Sequence, residues 1–242
     1  MTYLFQQTGD SDASNNYYFD VAAGKITGTT HLNKFGYNEG IHTSFEQIWD
    51  GSTTYTYNSY AQVVRVTSDD TDDNTATVEI EGLDSDYNLA YETLTVGGSD
   101  STTKFLRIFR ALVKTHPTAT ENAGIITIAN DSDVALAKIL ETNGQTLMAL
   151  YTIPAGKTGY LTHFMGSVDK SQDAIFQIRT RAHNDNGIFN VKAQFGTFAT
   201  PVTYEYEVPL VFPAKTDVEV RAKGGAAMGA GAIFDLVLID NE

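Results

Sequence analysis

The chain has 242 residues, no cysteine and a net charge of −14 at pH 7, which excludes disulfide-stapled scaffolds and thiolate metal sites. Hydrophobic residues make up 42% and aromatic residues 11% of the chain, a composition that excludes intrinsic disorder and supports a buried core. Residues 66–103 contain ten carboxylates and no Lys or Arg. Such a surface repels nucleic acid and anionic lipids, so we expect neither as a partner.

The N-terminal stretch 1–60 is rich in Asn, Gly, Thr and Tyr, with short apolar clusters between turn-forming residues. This pattern does not suit a long helix. It predicts an irregular N-terminal arm or β layer that lies on the rest of the chain or on a neighbour. The first sixteen residues lack the basic and apolar regions of a signal peptide, and no run reaches the roughly 18 apolar residues of a membrane span. We therefore expect a soluble protein.

Residues 61–145 form a second region, in which short strand-like runs alternate with clusters of Gly, Asp, Asn and Ser. Val78 and Ile80 alternate with Glu79 and Glu81, as in a half-buried antiparallel strand. The run 104–114 fits either a helix or a strand, and its flanks without helix caps favour a strand. The run 133–140 leaves both possibilities open.

Residues 146–242 repeat the same alternation and form a C-terminal β-sandwich region, which either stands alone or continues the domain of residues 61–145. Asn186-Gly187 predicts a tight hairpin turn, and the nearly all-apolar run 233–239 predicts a central strand. About a dozen short strands at roughly 8–12-residue spacing predict an all-β protein, an antiparallel β-sandwich of jelly-roll type.

The candidate chemical motifs are weak. Gly156-Lys157-Thr158 ends like a phosphate-binding loop, but Tyr151 stands where the loop needs its first glycine. The acidic stretch Asp69–Asn74 partly matches a calcium loop, but Thr75 replaces the required glycine. The sequence leaves open whether this stretch binds calcium or forms a solvated turn. No catalytic, cofactor-binding or metal-binding residue is predicted, and we do not expect an enzyme.

Five aromatic residues are the candidates for a protein interface: Phe35, Phe45, Trp49, Tyr55 and Tyr57. Large aromatic side chains anchor many interfaces because they bury much area with few rotatable bonds. Tyr55 and Tyr57, together with Tyr60, also suit cross-strand packing within one sheet or a platform for sugars. Packing within the sheet is the simplest of the three interpretations.

Several phrases of the sequence, taken together, resemble those of one protein family. They are HLNKFG at His31–Gly36 followed by Asn38, EQIWDG at Glu46–Gly51, VEIEGLDSDYNLAYETL at Val78–Leu94, FLRIFRALV at Phe105–Val113, QTLMALYTIPAGKTGY at Gln145–Tyr160, VPLVFPAKTD at Val208–Asp217 and FDLVLIDN at Phe234–Asn241. With these phrases the chain resembles virion structural proteins of tailed bacteriophages, especially those of marine bacteria. The resemblance runs from near residue 30 to the end and supplies no catalytic residues.

The resemblance implies a component of the capsid exterior, neck or tail, located in the virion and assembled in the host cytoplasm. We expect a capsid decoration (cement) protein whose partner is the major capsid protein or another virion protein. By analogy with phage decoration and fibre proteins, we expect a homo-oligomer, with a trimer as the first choice. A neck, collar or tail component is the alternative within this class, and a carbohydrate-binding, lectin-like module for host glycans is the alternative outside it. No cofactor is expected.

Overall fold

The computed structural model describes residues 17–51, 54–170, 172–183 and 187–241, which form an all-β, antiparallel protein with one short helix. The predicted fold class is thereby confirmed. The elements in chain order are α1 (Tyr17–Ala22), β1 (Thr29–Ile41), β2 (Glu46–Gln47), β3 (Val64–Ser68), a 3-10 turn (Thr71–Asp73), β4 (Thr77–Leu83), β5 (Leu89–Thr95), β6 (Arg107–Thr115), β7 (Ile126–Asn130), β8 (Ala135–Ile139), β9 (Leu150–Thr152), β10 (Lys157–Val168), β11 (Asp173–Arg181), β12 (Asn190–Phe198), β13 (Val202–Phe212), β14 (Asp217–Gly224) and β15 (Met228–Asp240).

The larger sandwich packs two sheets face to face. One sheet has the strand order β1-β15-β10-β13, and the other has the order β12-β11-β14-β2 with β9 also paired to β14. Phe164 and Phe234 from the first sheet meet Phe176 and Val220 from the second, and all four side chains are completely buried. Burial of these large apolar side chains stabilises the sandwich by about 1.5–3 kcal/mol for each of them.

A smaller sandwich is inserted between β2 and β9. Its two three-stranded sheets have the orders β3-β7-β8 and β5-β4-β6, and its own apolar core includes Val66, Ile80 and Ile128. Leu83 and Phe109 lie on strands of the smaller sandwich, but their side chains pack in the core of the larger one. The larger sandwich is therefore built from two separate stretches of sequence, one before the insertion and one after it.

The ambiguous runs are strands. Residues 107–115 form β6 and residues 135–139 form β8. In β4, Val78 and Ile80 are buried, while Glu79 and Glu81 are only half-buried, as the alternation predicts. β15 lies between β1 and β10, so the prediction of a central position is confirmed as well. The predicted turn at Asn186 lies outside the described residues.

The N-terminal stretch is more regular than an irregular arm. β1 is a 13-residue strand that pairs with β15 along most of its length. Gly36 allows β1 to pack closely on the backbone near Ile48 and Ala149. A Cβ at that position would lie 2.3 Å from the Ala149 nitrogen and 2.5 Å from the Ile48 carbonyl oxygen. The glycines of this stretch resemble turn formers in the sequence, whereas Gly36 serves close contact between the two sheets.

Candidate interaction surfaces

Two of the five predicted interface residues lie in the core. Trp49 is 1% exposed and Tyr55 is 5% exposed, and their rings meet edge to face at 5.2 Å. The Tyr55 hydroxyl donates a hydrogen bond to the Ile108 carbonyl at 3.0 Å. This burial corrects the expectation that Trp49 and Tyr55 contact a partner, because their side chains stabilise the smaller sandwich instead.

The other three predicted residues are half-buried and lie apart. Phe35 lines a small cavity beside β1, and Phe45 packs under two cationic side chains of the larger sandwich. Tyr57 donates its hydroxyl to Glu219 Oε2 at 3.0 Å. The Tyr55 and Tyr57 rings meet nearly at right angles, so they do not form a flat platform, although Tyr60 is 63% exposed. The five aromatic residues do not form a single surface.

A buried ionic network joins the two sandwiches at Asp217, the first residue of β14. Arg107 from β6 donates two hydrogen bonds to Asp217, at 2.8 and 3.2 Å, and Arg181 donates two more, at 2.9 and 2.5 Å. The Thr152 hydroxyl adds a bond of 2.6 Å. Burial acts to raise the pKa of Asp217, but the hydrogen bonds and charge of Arg107 outweigh it and leave that pKa below its usual value. The carboxylate stays ionised and connects the two units.

A second buried carboxylate continues this network along β14. Glu219 is completely buried and accepts hydrogen bonds from Tyr57, from Gln47 Nε2 at 3.4 Å, and from Arg221. A buried carboxylate needs several donors to offset the loss of hydration. Sequence reasoning missed Asp217 and Glu219, because alternation in DVEVRA indicates an ordinary strand with one polar face and gives no sign that a second unit covers that face.

The most exposed apolar surface lies on β12 and β13. None of the nine residues of β12 is buried, and Phe212 is the only buried residue of β13. The exposed large apolar side chains of residues 188–211 are Ile188 (63%), Val191 (49%), Phe198 (63%), Tyr204 (47%), Val208 (81%) and Val211 (56%). In the described sheets β12 pairs only with β11, and β13 pairs only with β10. The two strands thus form one free edge of each sheet of the larger sandwich, and we call this surface the β12–β13 edge.

A groove of about 830 Å³ lies beside the junction of the two sandwiches and is lined by carboxylates and aromatic rings, among them Tyr37, Glu39, Phe45, Glu46 and Asp50. Asp50 is 8% exposed; its Oδ2 accepts the Leu147 N–H at 2.7 Å, whereas its Oδ1 has no hydrogen-bond partner among the described residues. Burial raises the pKa of Asp50 to about 7, and the Glu39 charge adds to the rise.

Lys34 is a buried amine on β1. Its side chain is 6% exposed beside a cavity of about 240 Å³, and its Nζ donates a hydrogen bond to the Phe109 carbonyl. Burial and, to a smaller extent, the Arg110 charge lower the pKa of Lys34 to about 7, against the opposing charge of Glu81. Lys34 is therefore only partly charged at neutral pH.

The acidic loop at Asp69–Asn74 uses its carboxylates to hold the backbone. Asp69 accepts the Ile125 N–H at 2.7 Å and Asp70 accepts the Asp72 N–H at 2.8 Å. Asp73 is completely buried and accepts the backbone N–H groups of residues 123 and 124. Among the residues that the structure describes, no group of three or more His, Asp or Glu side chains is arranged to hold a metal ion.

His163 belongs to a cluster of polar side chains on the outer face of the sheet formed by β1, β15 and β10. Its Nδ1 lies 3.2 Å from one oxygen of Asp235, while His31 Nε2 lies 3.2 Å from the other oxygen. Asn33 donates to the same carboxylate at 2.7 Å. The group connects β1, β15 and β10 across the sheet.

In the described part of the chain, no helix has the length and apolar character needed to span a membrane.

Comparisons with known proteins give little further information. No model of a protein family matches the sequence, and no curated protein sequence matches it. Among solved structures, the chain is similar to a chain of T=1 particles derived from infectious bursal virus, with 10% identity, a TM-score of 0.23, and coverage of 88% of this chain and 74% of that one. For the infectious bursal disease virus Gx strain, the identity is 8%, the TM-score 0.22, and the coverage 87% and 74%. For a bacterial lipoprotein from Bacteroides thetaiotaomicron, the identity is 8%, the TM-score is 0.19, and the coverage is 84% of this chain and 99% of that one. TM-scores this low carry no inference about fold or function.

Proposed function

We propose that the protein is a structural component of a tailed-bacteriophage virion, a decoration protein of the outer capsid shell that self-associates through the β12–β13 edge. The observation that carries this proposal is the exposed apolar surface of that edge. The resemblance of the sequence to phage virion proteins supports the same class. The major capsid protein is the proposed partner of the assembled form.

The β12–β13 edge needs a protein partner for two physical reasons. Exposed strand edges present unpaired N–H and C=O groups that readily pair with another chain. Contiguous exposed apolar side chains cost free energy in water, and large patches of this kind mark interaction sites. Val208, at 81% exposure, and Phe198, at 63%, have no role in the core of an isolated subunit.

A second copy of the chain is the occupant that we favour. The edge from 188 to 212 carries only three charged residues, Lys192, Glu205 and Glu207, so two such edges can meet without strong repulsion. Closed symmetric assemblies of identical subunits are the most common soluble oligomers. We propose a trimer, which matches the three-fold positions that a capsid lattice provides.

Matched substitutions test the self-association. Phe198 and Tyr60 are both 63% exposed, but only Phe198 lies on the β12–β13 edge. We expect wild type and Tyr60→Ser to elute as trimers in size-exclusion chromatography with light scattering, and Phe198→Ser to shift toward monomer. A monomeric wild type, or an equal effect of the two substitutions, would contradict the proposed interface.

Location on the particle is a separate test. Purified virions labelled with gold-conjugated antibody against the recombinant protein should carry label over the capsid shell. Label at the neck or tail would move the protein to the alternative place within the same class. Absence of the protein from virions, checked by mass spectrometry, would refute the virion role.

The groove beside Asp50 favours glycan binding as a second candidate function. Sugar sites combine an aromatic face with a few fixed polar groups, and Tyr37, Glu39 and Glu46 supply both around the groove. A glycan array probed with wild type and with Glu39→Gln would test this. Loss of a reproducible signal in Glu39→Gln supports the candidate, and an array without signal refutes it.

A further inference from the structure

Four cationic side chains form a row on the outward face of the larger sandwich. Arg179 and Arg181 belong to β11, and Arg221 and Lys223 belong to the neighbouring strand β14. The register pairs Arg221 with Gln177 and Lys223 with Ile175, so no acidic residue stands directly opposite these two cations. We call this set the basic strip. It stands out because the whole chain has only 16 Lys and Arg against 30 Asp and Glu.

Aromatic rings hold these cations in place. The Phe45 ring lies 5.0 Å from the Arg179 guanidinium and 4.8 Å from Lys223 Nζ. The Phe189 ring lies 4.8 Å from the Arg181 guanidinium and 5.6 Å from that of Arg221. A guanidinium stacked on a ring keeps the N–H groups of its edge available for hydrogen bonds. The N–H donors of the strip are therefore held in fixed directions, unlike those of Lys and Arg side chains that make no contacts.

Two of the four cations lack an acidic partner. Arg181 and Arg221 pair with the buried carboxylates Asp217 and Glu219. Arg179 donates only to the Gln177 amide oxygen, and within the described residues neither Arg179 nor Lys223 forms a salt bridge. Burial lowers the pKa of Arg179 and the Arg221 charge adds to this effect, whereas Glu219, which stands opposite Arg179 in the register, opposes it. The local excess of positive charge favours an added carboxylate.

We propose that the basic strip binds an extended acidic protein segment with carboxylates at every second residue. Arg221 and Lys223 are two residues apart on β14, which places their side chains about 6.7 Å apart along one face. Carboxylates two residues apart on an extended partner have the same spacing, so one can meet the Nη groups of Arg221, whose Nε is bonded to Glu219, while the next meets Lys223. Arg179, on the neighbouring strand, adds a positive charge to the site, and its Nη1 group remains available because Nε and Nη2 donate to Gln177.

The arrangement favours a peptide over a nucleic acid or an acidic sugar. Bases and sugars bind such surfaces by stacking on free aromatic faces. Phe45 and Phe189 are each contacted by two cations, which leaves little ring surface for stacking. The chain's net charge of −14 does not prevent binding, because charges beyond the Debye length of about 8 Å are largely screened at physiological salt.

Fluorescence anisotropy with a labelled peptide of alternating aspartate and serine tests the proposal. The control peptide has asparagine in place of aspartate. We expect the aspartate peptide to bind wild type, the asparagine peptide not to bind, and affinity to fall as salt rises. The double variant Arg179→Gln, Lys223→Gln should bind at least about tenfold more weakly, a loss of about 1.4 kcal/mol.

A second double variant controls for net charge. Lys104→Gln, Lys170→Gln removes two exposed cations outside the strip and should bind the aspartate peptide like wild type. Equal losses in both double variants, or no binding by wild type, would overturn the proposal. Tighter binding of oligothymidylate or of an alginate fragment would also overturn it in favour of another ligand class. The strip variants leave the exposed apolar side chains of the β12–β13 edge unchanged, so light scattering of the same samples reports self-association separately.

Discussion

The buried carboxylate Asp217 gives the sharpest test of how the two sandwiches are joined. Asp217→Asn removes the charge that balances Arg107, whose side chain is 7% exposed, and Arg181, whose side chain is 19% exposed. Breaking a buried ion pair by removal of one partner costs about 3–5 kcal/mol, because the other charge stays in a poorly hydrated site. We expect a loss of about 3 kcal/mol in the free energy of unfolding, since Arg181 can regain part of its hydration.

The measurement is urea unfolding followed by fluorescence of Trp49, the single tryptophan of the chain, which lies in the core of the smaller sandwich. Asp133→Asn is the control, because Asp133 is 80% exposed and its 3.3 Å pair with Arg65 is worth under about 1 kcal/mol. Arg107→Met combined with Asp217→Asn should lose less than the sum of the two single substitutions. Strict additivity, or an Asp217→Asn loss no larger than that of the control, would refute the reasoning.

The same network predicts that the free energy of unfolding depends on pH in the acidic range. The pKa of Asp217 is lowered in the folded protein, so the group stabilises the fold above the unfolded value of about 3.9. That contribution is lost as the pH falls through the lowered folded pKa. The stability difference between wild type and Asp217→Asn should therefore be constant from neutral pH to about pH 5 and shrink in stronger acid.

Three further predictions concern buried groups of β1 and of the groove. The pKa of Asp50 is raised to about 7, so the free energy of unfolding of wild type should fall by up to about 1.4 kcal/mol per pH unit as the pH rises from 4 to 7. Asp50→Asn keeps the acceptor for the Leu147 N–H and should lack this slope in urea unfolding. The pKa of Lys34 is lowered to about 7, so stability should rise with pH above 7 in wild type and not in Lys34→Met, measured in the same way. Gly36→Ala should cost about 1–3 kcal/mol by overpacking, whereas Gly196→Ala, where a Cβ meets nothing within 4 Å, should have almost no effect on the thermal midpoint.

The strands of the fold could be predicted from local sequence because each satisfies a local rule. Alternation around Val78 and Ile80, and turn residues between the runs, depend only on which side chains face water. The same rules placed residues 233–239 in the centre of a sheet, because a strand covered on both faces is apolar throughout. These rules did not predict β1 as a strand, because Gly36 and its polar neighbours have the composition of a loop. The reason for the glycine, its close contact with Ala149, is visible only in the structure.

The interaction surfaces could be predicted only in part, because they depend on which chain segments meet. Trp49 and Tyr55 have the composition of interface anchors, but the inserted sandwich closes over them. The sequence around Val208 alternates like any strand, and Pro209, which cannot donate to a sheet ladder, is the one local sign that β13 lies at an edge. Edge position follows from the order of strands in the sheet, which is a property of the whole topology.

The topology also explains why the charged groups are concentrated along β14. A sheet face that was entirely apolar could bury more area against the inserted unit, but it would bind the two units without fixing their orientation. Arg107 meets Asp217 through two hydrogen bonds of defined direction, which a one-residue slip of β6 against β14 would break. Farther along β14, Arg221 and Lys223 are half-buried, whereas the first four residues of the strand are buried. One strand therefore orients the two sandwiches at its beginning and presents the basic strip to a partner at its end.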